Sequence, residues 1–161
     1  MATTLNVRLP RGVVERLERE AKKLGMGLEE YVLELLIQGL DPSVRAKEYI
    51  ETSRELLEQV REELGKGDVR QAAEKAWGAA ALVVKAYAEW RERRRLTSHG
   101  ELWEYKRVIE KELGGWVHDA WMNAVGMHVC FYEGWCSEDD VEKALKRIRR
   151  LVEEIASKVE A

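Results

Sequence analysis

A chain of 161 residues has room for one good core, or for an ordinary domain carrying a small appendage, and excludes two full-size domains. Its 27 basic and 30 acidic side chains leave a formal charge of -3, so no global field draws it onto nucleic acid or a membrane and any basic surface has to be local. No apolar run approaches the length of a membrane span, and the opening "MATTLNVRLPRGV" lacks the apolar stretch of a signal peptide, which predicts a soluble, cytoplasmic protein with no membrane partner.

In residues 4–9, "TLNVRL", Leu5, Val7 and Leu9 fall on one face and Thr4, Asn6 and Arg8 on the other. Period two predicts a short strand. After Pro10, Val13, Val14, Leu17, Ala21 and Leu24 recur at helical spacing until Gly25. A second helix runs from Leu28 to near Gly39, with Tyr31, Val32, Leu35 and Leu36 as its apolar stripe. A lone strand and two short helices cannot hide their apolar faces, so residues 1–40 need a second copy of themselves. The segment resembles the ribbon-helix-helix family, in which two chains pair their strands and the outward side chains enter the DNA major groove.

That resemblance implies a homodimer and makes Thr4, Asn6 and Arg8 candidate DNA contacts, since Asn and Arg pair with adenine and guanine edges. Gly27 at the second helix's cap, followed by Glu29 and Glu30, departs from the pattern because carboxylates there oppose a phosphate. Residues 1–40 also balance six basic against six acidic side chains, leaving little phosphate neutralisation. Dimerisation with DNA reading, dimerisation without it, and a strand packed on its own bundle all stay open.

Residues 41–161 read as five helices with short connections, the length of a compact bundle. Asp41 and Pro42 open the first, which carries Tyr49, Ile50, Leu56, Leu57, Val60 and Leu64. Asp68 with Gln71 has the spacing of a capping box and opens a helix to about Arg91. Its Ala-rich centre around Gly78 lets neighbours come close, which marks it as the central helix. Ser98 and Glu101 cap the third helix, which ends at Gly114-Gly115, and the fourth spans Trp116 to about Glu133. Its expected core stripe is Val117, Trp121, Ala124, His128, Phe131 and Trp135. Ser137 caps the last helix, with Val141, Leu145, Ile148, Val152, Ile155 and Val159 in a four-three rhythm. The surfaces are dense in charge and only two Asn and three Gln are present, a composition that leans towards a thermophile.

The stretches "GDVRQAAEKAWGAAALVVKAYAEW", "SHGELWEY" and "MHVCFYEGW", in that order across 45–155, resemble the archaeal PaREP family, branch one. That family is placed near the HEPN superfamily of helical bundles. The resemblance implies an all-α fold: a HEPN-like bundle over 41–161, preceded by the strand-helix-helix dimerisation segment over 1–40. It also implies frequent dimers, a link to nucleotides or RNA, and a toxin-antitoxin or defence setting.

Catalytic members of that superfamily are metal-independent RNases that carry an Arg, a polar residue and then a His on one helix. The corresponding "MNAVGMH" supplies Asn123 and His128 but has Met122 in the arginine's place, which implies weak or no RNase activity. The remaining chemistry is that His exchanges a proton with a ribose hydroxyl or leaving oxygen, while a cation neutralises the phosphate.

An imidazole within an apolar stripe is either a hydrogen-bonded core group or a working group at a cavity edge. Tyr132 lies one turn after His128, and Glu74 on the Ala-rich helix is a candidate carboxylate partner across the bundle. His128, Asn123 and Tyr132 are the catalytic candidates. Arg91, Arg93, Arg94 and Arg95 cluster beside Trp90, and with Glu74 and His99 they make a candidate substrate-binding set, although a solvated helix end would carry the same arginines. Trp90 and Trp103 are the tryptophans expected at the surface. The three histidines show no paired ligand spacing, so no metal and no cofactor are expected. Cys130 and Cys136 match neither a disulfide framework nor a Cys-x-x-Cys pair and are expected to be reduced thiols.

Overall fold

The computed structural model describes residues 3–161, and all of its regular secondary structure is helical. The chain divides into two compact units, Met1–Gly39 and Leu40–Ala161.

The first unit holds α1 (Arg11–Lys23) and α2 (Leu28–Ile37), which pack on each other. Gly25, at φ 66°, ends α1, with Met26 N–H bonded to Ala21 O at 2.9 Å, the wrap that a left-handed residue after a helix permits. The strand expected over residues 4–9 is not seen: residues 3–9 have no regular structure. A strand needs a neighbour for its backbone donors and acceptors, and among the described residues of a single copy none supplies one. Its apolar row is exposed, Leu5 at 82% and Val7 at 65%. The expected stripe of α2 is also displaced. Leu35 and Leu36 are exposed, while Glu30, Glu34 and Ile37 are buried.

The second unit is a five-helix bundle: α3 (Pro42–Gly65), α4 (Val69–Glu92), α5 (His99–Leu113), α6 (Trp116–Glu133) and α7 (Glu138–Val159). Asp41 caps α3 by accepting from Ser43 N–H at 3.0 Å, and Asp68 caps α4 by accepting from Gln71 N–H at 3.0 Å. From Ala72 to Glu89, α4 is buried on nearly all sides, with α3, α5, α6 and α7 packed around it. Alanines and Gly78 at its centre let those backbones approach, so the sequence makes α4 the axle. Two buried polar links set α3 antiparallel to it. The Ser53 hydroxyl donates to Ala79 O at 2.8 Å, and the Arg45 guanidinium grips the Glu89 carboxylate at 2.7 and 2.9 Å.

The buried stripe of α6 is Val117, Ala120, Trp121, Ala124, Met127 and Cys130, which corrects the stripe expected from spacing. Past Ala124 the core turns towards Met127, leaving His128 and Phe131 on the flank, while Trp135 lies beyond the helix end and is exposed. Trp90 is exposed as expected, but Trp103 is half-buried. The reduced thiols are also corrected, since Cys130 and Cys136 form a disulfide with Cα atoms 5.7 Å apart. Gly134, at φ 70°, ends α6 and folds the chain back, so a six-residue spacing that fits no motif still brings the sulfurs together.

Candidate functional site

The N-terminal half of α4, the first residue of α5 and the C-terminal half of α6 meet around His128. Antiparallel packing of α4 on α6 sets the register: Arg70, in the first turn of α4, donates to the carbonyls of Phe131 and Tyr132 at 2.9 Å each, binding the free end of α6. One turn along α4, Glu74 then faces His128, with Nδ1 3.5 Å from Oε2. Neither atom has a hydrogen-bond partner and both are buried, although the His128 side chain as a whole keeps 16% of its surface exposed.

Trp77, three residues after Glu74, forms an indole wall whose ring lies 4.8 Å from the His128 ring and 5.5 Å from the His99 ring. The two imidazoles are 5.4 Å apart, His99 being held as the first residue of α5 behind the Ser98 cap. Tyr132 meets the His128 ring edge-on at 5.2 Å and is itself 46% exposed. Its phenol is pushed above its ordinary pKa, first by burial and then by the Glu74 charge. The result is two imidazoles, one carboxylate and one phenol on an indole wall, open to solvent on the Tyr132 side.

Chemically, such a cluster can accept and donate protons at two separate points and can stack a flat ring on Tyr132. The carboxylate opposite Nδ1 directs the other imidazole nitrogen, Nε2, away from Glu74. Among the described residues, no group of three or more His, Cys, Asp or Glu side chains is placed to hold a metal ion.

His128, Tyr132, Glu74 and His99 are thus brought together. Asn123 is not among them. Five residues along a helix is a rotation of about 140°, and Asn123 faces α7, lining a groove with Met122, Lys143 and Arg147. The arginines after α4 point elsewhere and are mostly engaged. Arg91 pairs with Glu92 and with Glu112 at 2.5 Å, Arg93 with Asp41 at 3.3 Å, and Arg94 with Glu104 at 3.8 Å, while Arg95 is half-buried. Thr4, Asn6 and Arg8 are exposed on a segment without regular structure.

Sequence reasoning missed Trp77, although its i+3 spacing from Glu74 places the two on one face of α4. It also missed the pair Lys143 and Arg147, whose i+4 spacing is the same kind of signal. No helix among the described residues is long and apolar enough to cross a membrane. The Archaeal PaREP1/PaREP8 family is matched over residues 48–152, which takes in most of the bundle and every residue of the His128 cluster. No curated protein and no solved structure matches the chain.

Proposed function

The chain belongs to the archaeal PaREP1/PaREP8 family, and from that premise we propose that it is a nucleotide- or RNA-binding protein whose bundle, HEPN-like in character, takes its ligand at the His128 cluster. The observation that carries this reading is the buried, unsatisfied Glu74–His128 pair beside a second imidazole and an exposed phenol. A structural core histidine is expected to end on a hydrogen bond. Here two facing polar atoms lack one, beside the rings of Trp77, His99 and Tyr132.

In this reading Tyr132 stacks a base and Glu74 orients His128. His128 exchanges a proton with a ribose hydroxyl, and His99 serves the leaving oxygen. The guanidinium of the superfamily's motif is not supplied among the described residues: Met122 stands in its place on the other flank of α6, Arg91, Arg93 and Arg94 already hold carboxylates, and Arg70 is engaged by the Phe131 and Tyr132 carbonyls. Electrostatic stabilisation is commonly the largest catalytic contribution, so binding should far outweigh cleavage, in keeping with a toxin-antitoxin or defence protein of weak or no RNase activity. The test is binding and cleavage of an end-labelled single-stranded RNA. Tyr132→Ala should weaken binding by about tenfold, as loss of one stacked base does, and His128→Ala should abolish any residual cleavage. Equal RNA affinity in wild type and both variants would overturn the reading.

A second reading concerns the first unit. Leu5, Val7, Leu9, Val13, Leu24, Leu28, Leu35 and Leu36 are all exposed there, an apolar surface far larger than single scattered side chains. It favours a homodimer in which residues 4–9 pair with the same segment of a second copy, in ribbon-helix-helix fashion. Val7→Lys and Leu36→Lys should each give a monomer in sedimentation. If the paired segment also reads DNA through Thr4, Asn6 and Arg8, Arg8→Ala strongly weakens that binding and lowers its salt dependence, while His128→Ala leaves it intact.

A further inference from the structure

An open groove of about 440 Å³, within the range of small-molecule sites, lies between α6 and α7, on the flank of α6 away from Glu74. Gly126 leaves it room, since a Cβ there would meet nothing within 4 Å. Met122 and Met127 line it with thioethers that adapt to an irregular apolar surface. Trp135 lines it too, and at 53% exposure it offers an indole face, held in place by the Gly134 turn on one side and the Cys130–Cys136 disulfide on the other.

The polar residues of the groove are cationic in balance. Lys143 and Arg147 stand on successive turns of α7, one helical repeat apart. Arg147 has no carboxylate partner among the described residues, and its guanidinium reaches only the Lys143 carbonyl, at 3.4 Å. Lys143 is held by Asp139 at 2.7 Å, an exposed pair that a stronger anion displaces at little cost. Asp140 is the one carboxylate lining the groove, and its Oδ2 already accepts from the Ser137 N–H and hydroxyl. The amide nitrogen of Asn123, which lines the groove, is committed to Asp119 O at 2.8 Å, which leaves its oxygen as the acceptor.

We propose that the α6–α7 groove binds a phosphorylated small molecule carrying a flat heterocycle, of the size of a nucleoside monophosphate. The ring stacks on Trp135 between the two methionines, the phosphate sits between Lys143 and Arg147, and the Asn123 oxygen accepts from an amino group on the ring. Two cations one turn apart suit a dianion, to which Arg brings a forked donor and Lys a point charge. This site goes beyond the His128 reading and stands independently of it, because the two clusters lie on different flanks of α6.

The test is equilibrium dialysis of the full chain with AMP, and with adenosine and inorganic phosphate as its two halves. AMP should bind saturably, each half at least tenfold more weakly. Arg147→Ala and Trp135→Leu, both at exposed positions, should each weaken AMP by about tenfold, the scale of one charge-assisted contact or one stacked ring. Absence of saturable AMP binding at millimolar concentration overturns the proposal. So does AMP binding that survives Arg147→Ala but is lost in Tyr132→Ala, which would place the ligand at the His128 cluster. Phosphate binding as tightly as AMP and indifferent to Trp135→Leu would reduce the groove to a bare anion contact and overturn it as well.

Discussion

Nδ1 of His128 lies 3.5 Å from Oε2 of Glu74, across the packing of α6 on α4, with no hydrogen bond to either atom. Groups this close and this buried should be energetically coupled. In a double-mutant cycle of Glu74→Leu and His128→Leu followed by denaturant unfolding, the coupling should favour the pair by about 1 kcal/mol. Additivity within a few tenths would mean that the two side chains are neighbours without being partners.

The Arg45–Glu89 pair differs in being closed on every side. Two bonds join the groups and Arg45 also donates to Leu40 O at 2.8 Å, so the guanidinium ties α3, α4 and the start of the bundle together. The Glu89 side chain is 0% exposed. Arg45→Met leaves that carboxylate buried without its cation and should destabilise by about 3–5 kcal/mol. The double replacement Arg45→Met with Glu89→Met should recover a large part of that loss, measured by chemical unfolding of all three variants. A double variant no more stable than the single one would show that the pair is also needed for packing.

How much of this was legible beforehand depended on which forces act locally. The caps at Asp41, Asp68, Ser98 and Ser137, and the four bundle helices they open, follow from short-range rules and appear where the spacing put them, as does α6 after the Gly114-Gly115 break. The all-helical bundle and the Glu74 partner of His128 were also within reach, because the Ala-rich α4 could only be the helix others pack on. The strand over residues 4–9 was not, since a strand exists only with a neighbour and period two reports the pattern without the partner. The stripe of α6 failed past Ala124, where Met127 and the disulfide-bonded Cys130 lie inward instead of His128 and Phe131, because which flank meets the neighbouring helices is a tertiary matter that four-three spacing does not report. The groove between α6 and α7 depends on tertiary contact and left only the i+4 spacing of Lys143 and Arg147 in the sequence.

The Cys130–Cys136 disulfide closes a short loop that carries Trp135. Short loops give the smaller entropic benefit, so reduction should lower stability by about 2 kcal/mol. Thermal melts with and without a thiol reductant measure it, with Cys130→Ala/Cys136→Ala as the control that must not respond to the reductant. An unchanged melting temperature on full reduction would mean that the α6 end is held by Arg70 alone.

The caps predict the behaviour of the bundle in acid. The Asp140 carboxyl is held below its ordinary value of 3.8 by the Ser137 N–H first and the Ser137 hydroxyl next. Glu101 is held low chiefly by the Thr97 N–H, and Asp41 by the Ser43 hydroxyl and N–H. A carboxylate whose pKa is lower folded than unfolded adds stability above the unfolded value, and that contribution drains away as the pH falls through the folded pKa. Asp140→Asn cannot ionise, so it should melt below wild type at neutral pH, with the gap closing as the pH drops below the ordinary carboxylate range. Melting curves of the two proteins over a pH series running from neutral down into strong acid decide the matter. A gap that stays constant would mean that the Ser137 cap works through shape and not through the charge of its partner.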